Sequence, residues 1–231
     1  MHAPQTDTTT AVRPFVGLPV GHYRAIAVDP PSHFKARTAL QVQNWNSRRD
    51  VEKHYRTMSF EQLFGALGAQ DAHLFIWSSG PFIPQALRLI EAWGFRFSTR
   101  AFTWVKLRRA LGSAQLRLPM PFTEQDLHVG LGLTVRHQTE CVLLGRRGNA
   151  RRNAKDVREI ILAPVREHSR KPDEFFRRVE RYCDGPYLEL FARERRPGWD
   201  AWGDEADKFN GVTDDRAHPF AEPPRLHKLR T

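Results

Sequence analysis

Between about residue 20 and residue 209 the chain alternates short apolar runs with amphipathic stretches, and the spacing of each predicts a strand or a helix. Tyr23-Arg24-Ala25-Ile26-Ala27-Val28 reads as a first strand. Ser59-Phe60-Glu61-Gln62 has capping-box form and predicts a short helix to Leu67, after which Ala72-His73-Leu74-Phe75-Ile76-Trp77 reads as a buried strand. Pro81 or Pro84 falls in the first turn of the next helix, whose apolar positions Leu87, Leu89, Ile90 and Trp93 stop at Gly94. Phe95 to Lys106 follows as a strand with aromatic bias, and Cys141-Val142-Leu143-Leu144 and Glu159-Ile160-Ile161-Leu162 are further strands bounded by Gly145 and Pro164. Pro172-Asp173-Glu174 sets proline and acids in the first turn of a helix with Phe175, Phe176, Val179, Tyr182 and Cys183 on one face. Tyr187-Leu188-Glu189-Leu190-Phe191 is the last predicted strand. Repeated strand and helix units of this length predict an α/β fold, a mostly parallel sheet with helices on both faces.

The flanks differ. Residues 1–19 carry Thr and Pro without a sustained period and read as a flexible lead-in, and residues 210–231 read as a basic, Pro-containing tail. A single domain over residues 20–209 fits a chain of 231 residues. The stretch from Ala110 to Arg136 is the least regular part of that domain, with Gly112, Pro119, Pro121, Gly130 and Gly132. A loop of that length is usually functional or mobile, and passing over a bound substrate is one role expected of it.

Composition narrows the class. No apolar stretch approaches the roughly 20 residues of a membrane span, and Met1 to Thr10 lacks a signal-peptide core, so a soluble, cytoplasmic protein is expected. Cys141 and Cys183 stand in no Cys-x-x-Cys pair and read as reduced packing residues, with no metal site implied. Thirty-six Lys and Arg against twenty-six Asp and Glu give a net charge of +10. The basic residues cluster at 106–109, 146–147, 151–152, 166–171, 177–178 and 193–196, which suits a polyanionic partner because the guanidinium fork binds two phosphate oxygens at once.

The chemistry concentrates where the first strand ends. Asp29-Pro30-Pro31 follows Val28, and neither proline can donate a backbone N–H, so the segment must leave the sheet as a rigid loop with free carbonyls. Asp29 is thereby held at a strand's carboxyl end, the usual ligand edge of an open α/β sheet. Three more segments accompany it: His54-Tyr55-Arg56-Thr57-Met58, Arg166-Glu167-His168-Ser169-Arg170-Lys171-Pro172-Asp173-Glu174, and Glu189-Leu190-Phe191-Ala192-Arg193 running into Trp199, Trp202 and Gly203-Asp204-Glu205. In that order, over roughly residues 20 to 209, they closely resemble the MT-A70-like family of adenine-N6 methyltransferases, especially its bacterial and phage members.

The resemblance implies a Rossmann-like methyltransferase fold, S-adenosyl-L-methionine as methyl donor and adenine in a nucleic acid, DNA first, as acceptor. It implies that Lys171 and Ser169 lie near the donor's carboxylate at a helix start, where free N–H groups favour an anion. Glu189, Arg193, Arg195 and Arg196 are expected close to the donor, and Asp204 and Glu205 near its ribose and adenine. Asp29 and Pro30 orient the adenine amine, no metal is required, and Tyr55 lies in the segment that resembles the loop beside the target base. His54 and His168 are not expected to carry protons, since the reaction needs no imidazole base.

Two departures stand out. The family usually follows Asp-Pro-Pro with an aromatic that stacks on the extruded adenine, and here the fourth residue is Ser32. Stacking of one base on an aromatic is worth about 1–3 kcal/mol, so target capture is expected to weaken unless Phe34 or Trp45 supplies a ring. Asp204 stands where the family tends to carry Asn, and it can still accept ribose hydroxyl hydrogens. A silent nucleic-acid-binding relative, an RNA enzyme and a cytosine-N4 enzyme are the other readings of the same motifs.

Overall fold

The computed structural model describes residues 18–30, 67–109, 123–130, 132 and 134–211. Pro31, Ser32, Phe34, Trp45, Tyr55, His54 and the helix predicted from Ser59 lie outside the described residues, as do the terminal segments before residue 18 and after residue 211. The strands are β1 (Tyr23–Val28), β2 (Gly68–Ser78), β3 (Arg96–Leu107), β4 (Thr139–Arg147), β5 (Ile160–Pro164), β6 (Tyr187–Leu190) and β7 (Trp199–Trp202). The helices are α1 (Ile83–Ala92), between β2 and β3, and α2 (Asp173–Tyr182), between β5 and β6.

All seven strands form one sheet in the order β5-β3-β4-β2-β1-β6-β7. Four of its pairings, β1 with β2, β1 with β6, β3 with β5 and β6 with β7, are parallel. β4 runs antiparallel to both of its neighbours, β2 and β3. This reversal matters for function, because it brings the start of β4 to the edge where β1, β2 and β3 end.

Alternation along the strands divides the core into two layers. Ile26, Val28, Leu74, Ile76, Leu143, Leu188 and Leu190 face α1, which packs Ala86, Leu89 and Ile90 against them. Ala25, Ala27, Phe75, Trp77, Phe102, Trp104 and Val142 face α2, which packs Phe175, Phe176 and Val179. Helices therefore cover both faces, as the amphipathic spacing predicts. α1 opens with Pro84 in its first turn and is followed by Gly94 at φ +73°, a left-handed conformation that glycine adopts without steric cost. Cys183 is buried with its thiol directed at the Val179 carbonyl, and the Cys141 thiol is directed at the Ser78 carbonyl, so both cysteines pack as reduced residues. No helix among the described residues is long and apolar enough to cross a membrane.

β7 is not foreshadowed by hydrophobic spacing, because Arg193 to Asp200 is polar and carries Pro197 and Gly198. It becomes a strand through partners distant in sequence. Trp199 stacks on Tyr187 at 4.8 Å and meets the Phe176 ring edge-on at 5.2 Å, its indole donates to Glu180 at 2.7 Å, and the Tyr23 hydroxyl donates to Asp200 at 2.6 Å. Where β7 exits, a Cβ on Gly203 would lie 2.9 Å from both the nitrogen and the oxygen of Ala192. Only glycine permits that approach, which lets the Ala192 nitrogen donate to the Trp202 carbonyl at 2.9 Å.

Candidate active site

β1 delivers Asp29 and Pro30 to the carboxyl edge of the sheet, and the fold brings four further elements to the same point. Asp29 shares a cleft with Ser169, Arg170 and Lys171, which precede α2, and with Glu189 of β6. Phe191, Arg193, Glu194 and Arg196 line it from the β6–β7 connection, and Phe209 closes one side. Residues 191–198 join two parallel strands, so their first half necessarily sits at the carboxyl edge before the chain returns. Ser169 and Phe191 both hold left-handed φ, 62° and 60°, which for non-glycine residues costs of order 1 kcal/mol or more and clusters at functional sites.

Lys171 is the electrostatic centre of the cleft. It is only 8% exposed, and its ammonium lies 3.2 Å from Asp29 Oδ2 and 2.8 Å from Glu140 Oε2, with the Trp77 ring 5.0 Å away. Glu140 Oε1 in turn meets Lys106 Nζ at 2.5 Å, and Lys106 lies over Trp104. Positive and negative groups thus alternate along Lys106, Glu140, Lys171 and Asp29. Burial alone would lower the Lys171 pKa, yet Asp29 and Glu140 hold it above the usual lysine range. Burial would raise the Glu140 carboxyl, but Lys171 and Lys106 pull it down to about 2. Asp29 therefore enters the cleft as one end of an ion-paired chain, with a quarter of its side chain exposed.

A second network fixes the loop after β6. Arg170 donates to both oxygens of Glu194 at 2.9–3.1 Å, Arg196 bonds the same carboxylate at 2.8 Å and Asp173 at 2.6 Å, and Arg166 bonds Asp173 at 3.0 Å. The Arg196 guanidinium also lies 4.0 Å over the Phe176 ring. This arginine lines the cleft but is held by Asp173 and Glu194, a scaffolding position. Arg193 donates to the His168 carbonyl at 2.9 Å and lies 3.6 Å from Glu205.

The sequence-derived set therefore divides. Asp29, Ser169, Lys171, Glu189, Arg193 and Arg196 converge on one cleft. Glu205 reaches that group through Arg193 and also pairs with Lys208 at 2.6 Å. Arg195 is exposed, pairs with Asp207 at 2.7 Å and does not line the cleft; Asp204 is exposed and does not line it either. Several basic clusters also prove to be internal struts. Besides Lys106, Arg166, Arg170 and Arg196, Arg177 and Arg178 both bind Glu174, and Arg147 donates to the carbonyls of Ala69 and Trp93.

Glu140 escaped sequence reasoning, although a carboxylate immediately before the apolar run Cys141 to Leu144 is a visible signal. Its relevance depends on β4 being antiparallel, which puts Glu140 opposite Trp104 near the end of β3 and next to Cys141, itself opposite Ser78 at the end of β2. Glu194 and Asp173 escaped for the same reason: their partners come from other elements.

Glu189 is the most perturbed acid. Burial raises its carboxyl from the ordinary 4.5 to about 8, with Asp29 and Glu194 adding to the effect and Arg196 and Lys171 opposing it. Its Oε2 is buried and accepts no hydrogen bond, the nearest cation being Arg196 Nε at 3.9 Å. The folded state then keeps a proton that the unfolded chain releases above about pH 4.5, so stability falls as pH rises from there to about 8 and levels off beyond. Urea unfolding between pH 5 and pH 8.5 is expected to show this decline in the parent and a flatter profile in Glu189→Gln, as a rough range set by that shift. Equal slopes for the two proteins would show that Glu189 is ionised throughout.

The seven-stranded sheet and the cleft at its carboxyl edge define an α/β protein of the Rossmann-like methyltransferase class. The chain belongs to the MT-A70 family, whose model matches residues 23–205. It is 28% identical over 206 residues to a Type II methyltransferase, M.MunI, of Mycoplasma sp., covering 82% of this chain and 80% of that protein. It is 30% identical over 146 residues to an N(6)-adenosine-methyltransferase MT-A70-like protein of Arabidopsis thaliana, covering 62% of this chain and 19% of the relative. The human N(6)-adenosine-methyltransferase catalytic subunit METTL3 is 27% identical over 157 residues, 66% of this chain and 25% of its own length. The chain thus spans most of the Mycoplasma relative and a quarter or less of the plant and human ones.

Proposed function

We propose that this MT-A70 protein transfers a methyl group from S-adenosylmethionine to the exocyclic N6 amine of adenine in DNA. One observation carries the reading: the Asp29 carboxylate, followed by Pro30, lines the same cleft as Lys171, Glu189 and Arg193 at the carboxyl edge of β1. The N6 amine is a poor nucleophile because its lone pair is drawn into the ring. Asp29 accepts one N6 hydrogen and the Pro30 carbonyl accepts the other, which turns the lone pair outward for an in-line transfer. Positive charge developing on the nitrogen then falls beside a fixed carboxylate, so positioning and electrostatics supply the acceleration. Lys171, 3.2 Å from Asp29, holds that carboxylate at the cleft. The target base must leave a duplex, or come from a single strand, to reach Asp29.

The cleft suits the proposed donor. S-adenosylmethionine supplies an electrophilic methyl on a positively charged sulfur. Lys171 and the backbone at Ser169 would hold the donor's carboxylate. Glu189 has a buried oxygen with no hydrogen-bond donor of its own, an acceptor fitted to the donor's ammonium or ribose hydroxyls. Asp29 makes the neighbourhood favourable for a cation, and Glu189, which burial keeps protonated up to about pH 8, would ionise more readily beside one. Arg193 continues the wall and is paired with Glu205 behind it.

DNA is preferred as acceptor because the relative that matches at nearly full length is named a Type II methyltransferase. The relatives named for adenosine match over much smaller shares of their own length. The test is to incubate the chain and S-adenosylmethionine with unmodified DNA, and separately with RNA, then digest each to nucleosides for mass spectrometry. N6-methyldeoxyadenosine is the expected product. N6-methyladenosine from RNA alone would reassign the acceptor, whereas N4-methylcytosine, or no product despite donor binding, would overturn the reading.

A further inference from the structure

A second cavity, of about 430 Å³, opens on the α2 face of the sheet at the edge where the parallel strands begin, away from Asp29. The first half of β3, the end of β4 and the end of α2 border it. Aromatic side chains border it: Tyr182, half-buried, meets Phe75 edge-on at 6.0 Å, while Phe75 and Phe102 lie nearly parallel, 17° apart with centroids at 6.2 Å, and are buried in the core. Its rim is cationic, formed by Arg100, Arg146 and Arg152.

The three arginines differ in how their charge is met. Arg100 is paired with Glu159 at 2.7 Å, and Glu159 also accepts from Thr103. Arg146 donates through Nη2 to the Ala150 carbonyl at 2.5 Å, while its Nε is buried and makes no hydrogen bond. Arg152 is exposed and forms no ion pair among the described residues. The Tyr182 hydroxyl likewise makes no hydrogen bond among them. Arg146, Arg152 and Tyr182 all line the cavity, and the two arginines oppose the effect of burial, which raises the Tyr182 phenol.

Two cations and a phenol, none of them matched to an acid, thus ring a pocket bordered by aromatic side chains. Its size falls in the range of small-molecule sites, about 300–1,000 Å³. A guanidinium fork binds phosphate oxygens in pairs, and aromatic rings stack on a base whatever its identity. We propose that this cavity binds a ligand of the nucleoside-monophosphate class, its phosphate between Arg146 and Arg152 and its base against the Tyr182 ring. Such a group could be a free nucleotide or the 5′-phosphorylated end of a strand; both present the same chemistry. The site is separate from the cleft at Asp29 and does not depend on the transfer reaction assigned there.

The test uses the full chain and dTMP, which has no exocyclic amine for Asp29 to bind. Calorimetry is expected to give one saturable site, with thymidine and inorganic phosphate each binding much more weakly. Arg152→Glu, at an exposed position that the fold does not need, is expected to weaken dTMP by about tenfold or more, the worth of one charge-assisted contact. Tyr182→Phe is expected to weaken it by a smaller factor with the core retained, and Asp29→Ala to leave it unchanged. Competition by 5′-phosphorylated oligo-dT, and not by its 5′-hydroxyl form, would assign the ligand to a strand end; competition by neither would assign it to the free nucleotide. The proposal is overturned if dTMP fails to bind, if Arg152→Glu and Tyr182→Phe both bind it as the parent does, or if Asp29→Ala abolishes its binding.

Discussion

Asp29→Ala is expected to lower the single-turnover rate of methyl transfer by about a hundredfold to a thousandfold, the scale of losing one preorganised electrostatic group in a site. The fold should survive, because Lys171 keeps Glu140 as a partner at 2.8 Å and Glu140 keeps Lys106 at 2.5 Å. Donor binding should fall much less than the rate, since Glu189 and Arg193 are untouched and the removed acid acts on the acceptor amine. Comparing the single-turnover rate with S-adenosylmethionine affinity in the same variant separates the two effects. A variant that transfers methyl groups at the parent rate would show that another group orients the amine. A large loss of donor affinity with an unchanged rate at saturation would assign Asp29 to the donor instead.

Lys171→Met is expected to cost about 3–5 kcal/mol of stability at pH 7, the usual result of removing one partner from a buried ion pair. The ammonium sits between two carboxylates, Asp29 and Glu140, and a thioether compensates neither. The pH dependence identifies the cause. In the parent, Glu140 is held near 2, so it contributes stability that is present above its ordinary 4.5 and lost as pH falls toward 2. Without Lys171 only the Lys106 share of that contribution remains, so the gap between parent and variant should be widest above about pH 4.5 and narrow as the pH drops below it. Urea unfolding at pH 7 and pH 3.5 measures the difference, an approximate window that follows from the same linkage. Adding Glu140→Gln to Lys171→Met should recover part of the loss by removing a buried carboxylate that then has only Lys106 to offset it. A gap independent of pH would mean that Lys171 acts through packing against Trp77 and not through charge.

These two results bear on one design, in which the acid proposed to orient the acceptor is fixed by the lysine proposed to hold the donor. Coupling of that kind puts both substrates under the control of one ion pair. In the proposed reaction the lysine contributes a positive charge to an anionic group, and its partner acid faces a developing cation. The charge chain reaches back through Glu140 to Lys106, so the cleft's acidity is set by residues on β3 and β4 as well as by those it presents.

Much of this was legible in the sequence. The apolar runs marked six of the seven strands and both described helices, because burial on two faces demands continuous or alternating hydrophobic residues whatever their partners. Asp29 could be placed at a strand end because two prolines cannot continue a sheet. Lys171 could be placed before a helix because Pro172, Asp173 and Glu174 are suited to a helix start. Glu189 was conspicuous as an acid inside an apolar strand, where its Oε2 is buried without a hydrogen bond.

What the sequence left open was settled by contacts between distant segments. β7 carries too little hydrophobic pattern to declare itself and exists through Tyr187, Phe176, Glu180 and Tyr23. Arg195 and Arg196 look equivalent on paper, yet one pairs with Asp207 at the surface and the other is locked between Asp173 and Glu194. Hydrophobic spacing records which residues are buried but not which way a strand runs. Only the antiparallel direction of β4 brings Glu140 to Lys171, and with it the charge balance that governs Asp29. Local pattern thus determined the elements and the residues at their ends, while the pairing of strands across the sheet decided which of those ends meet.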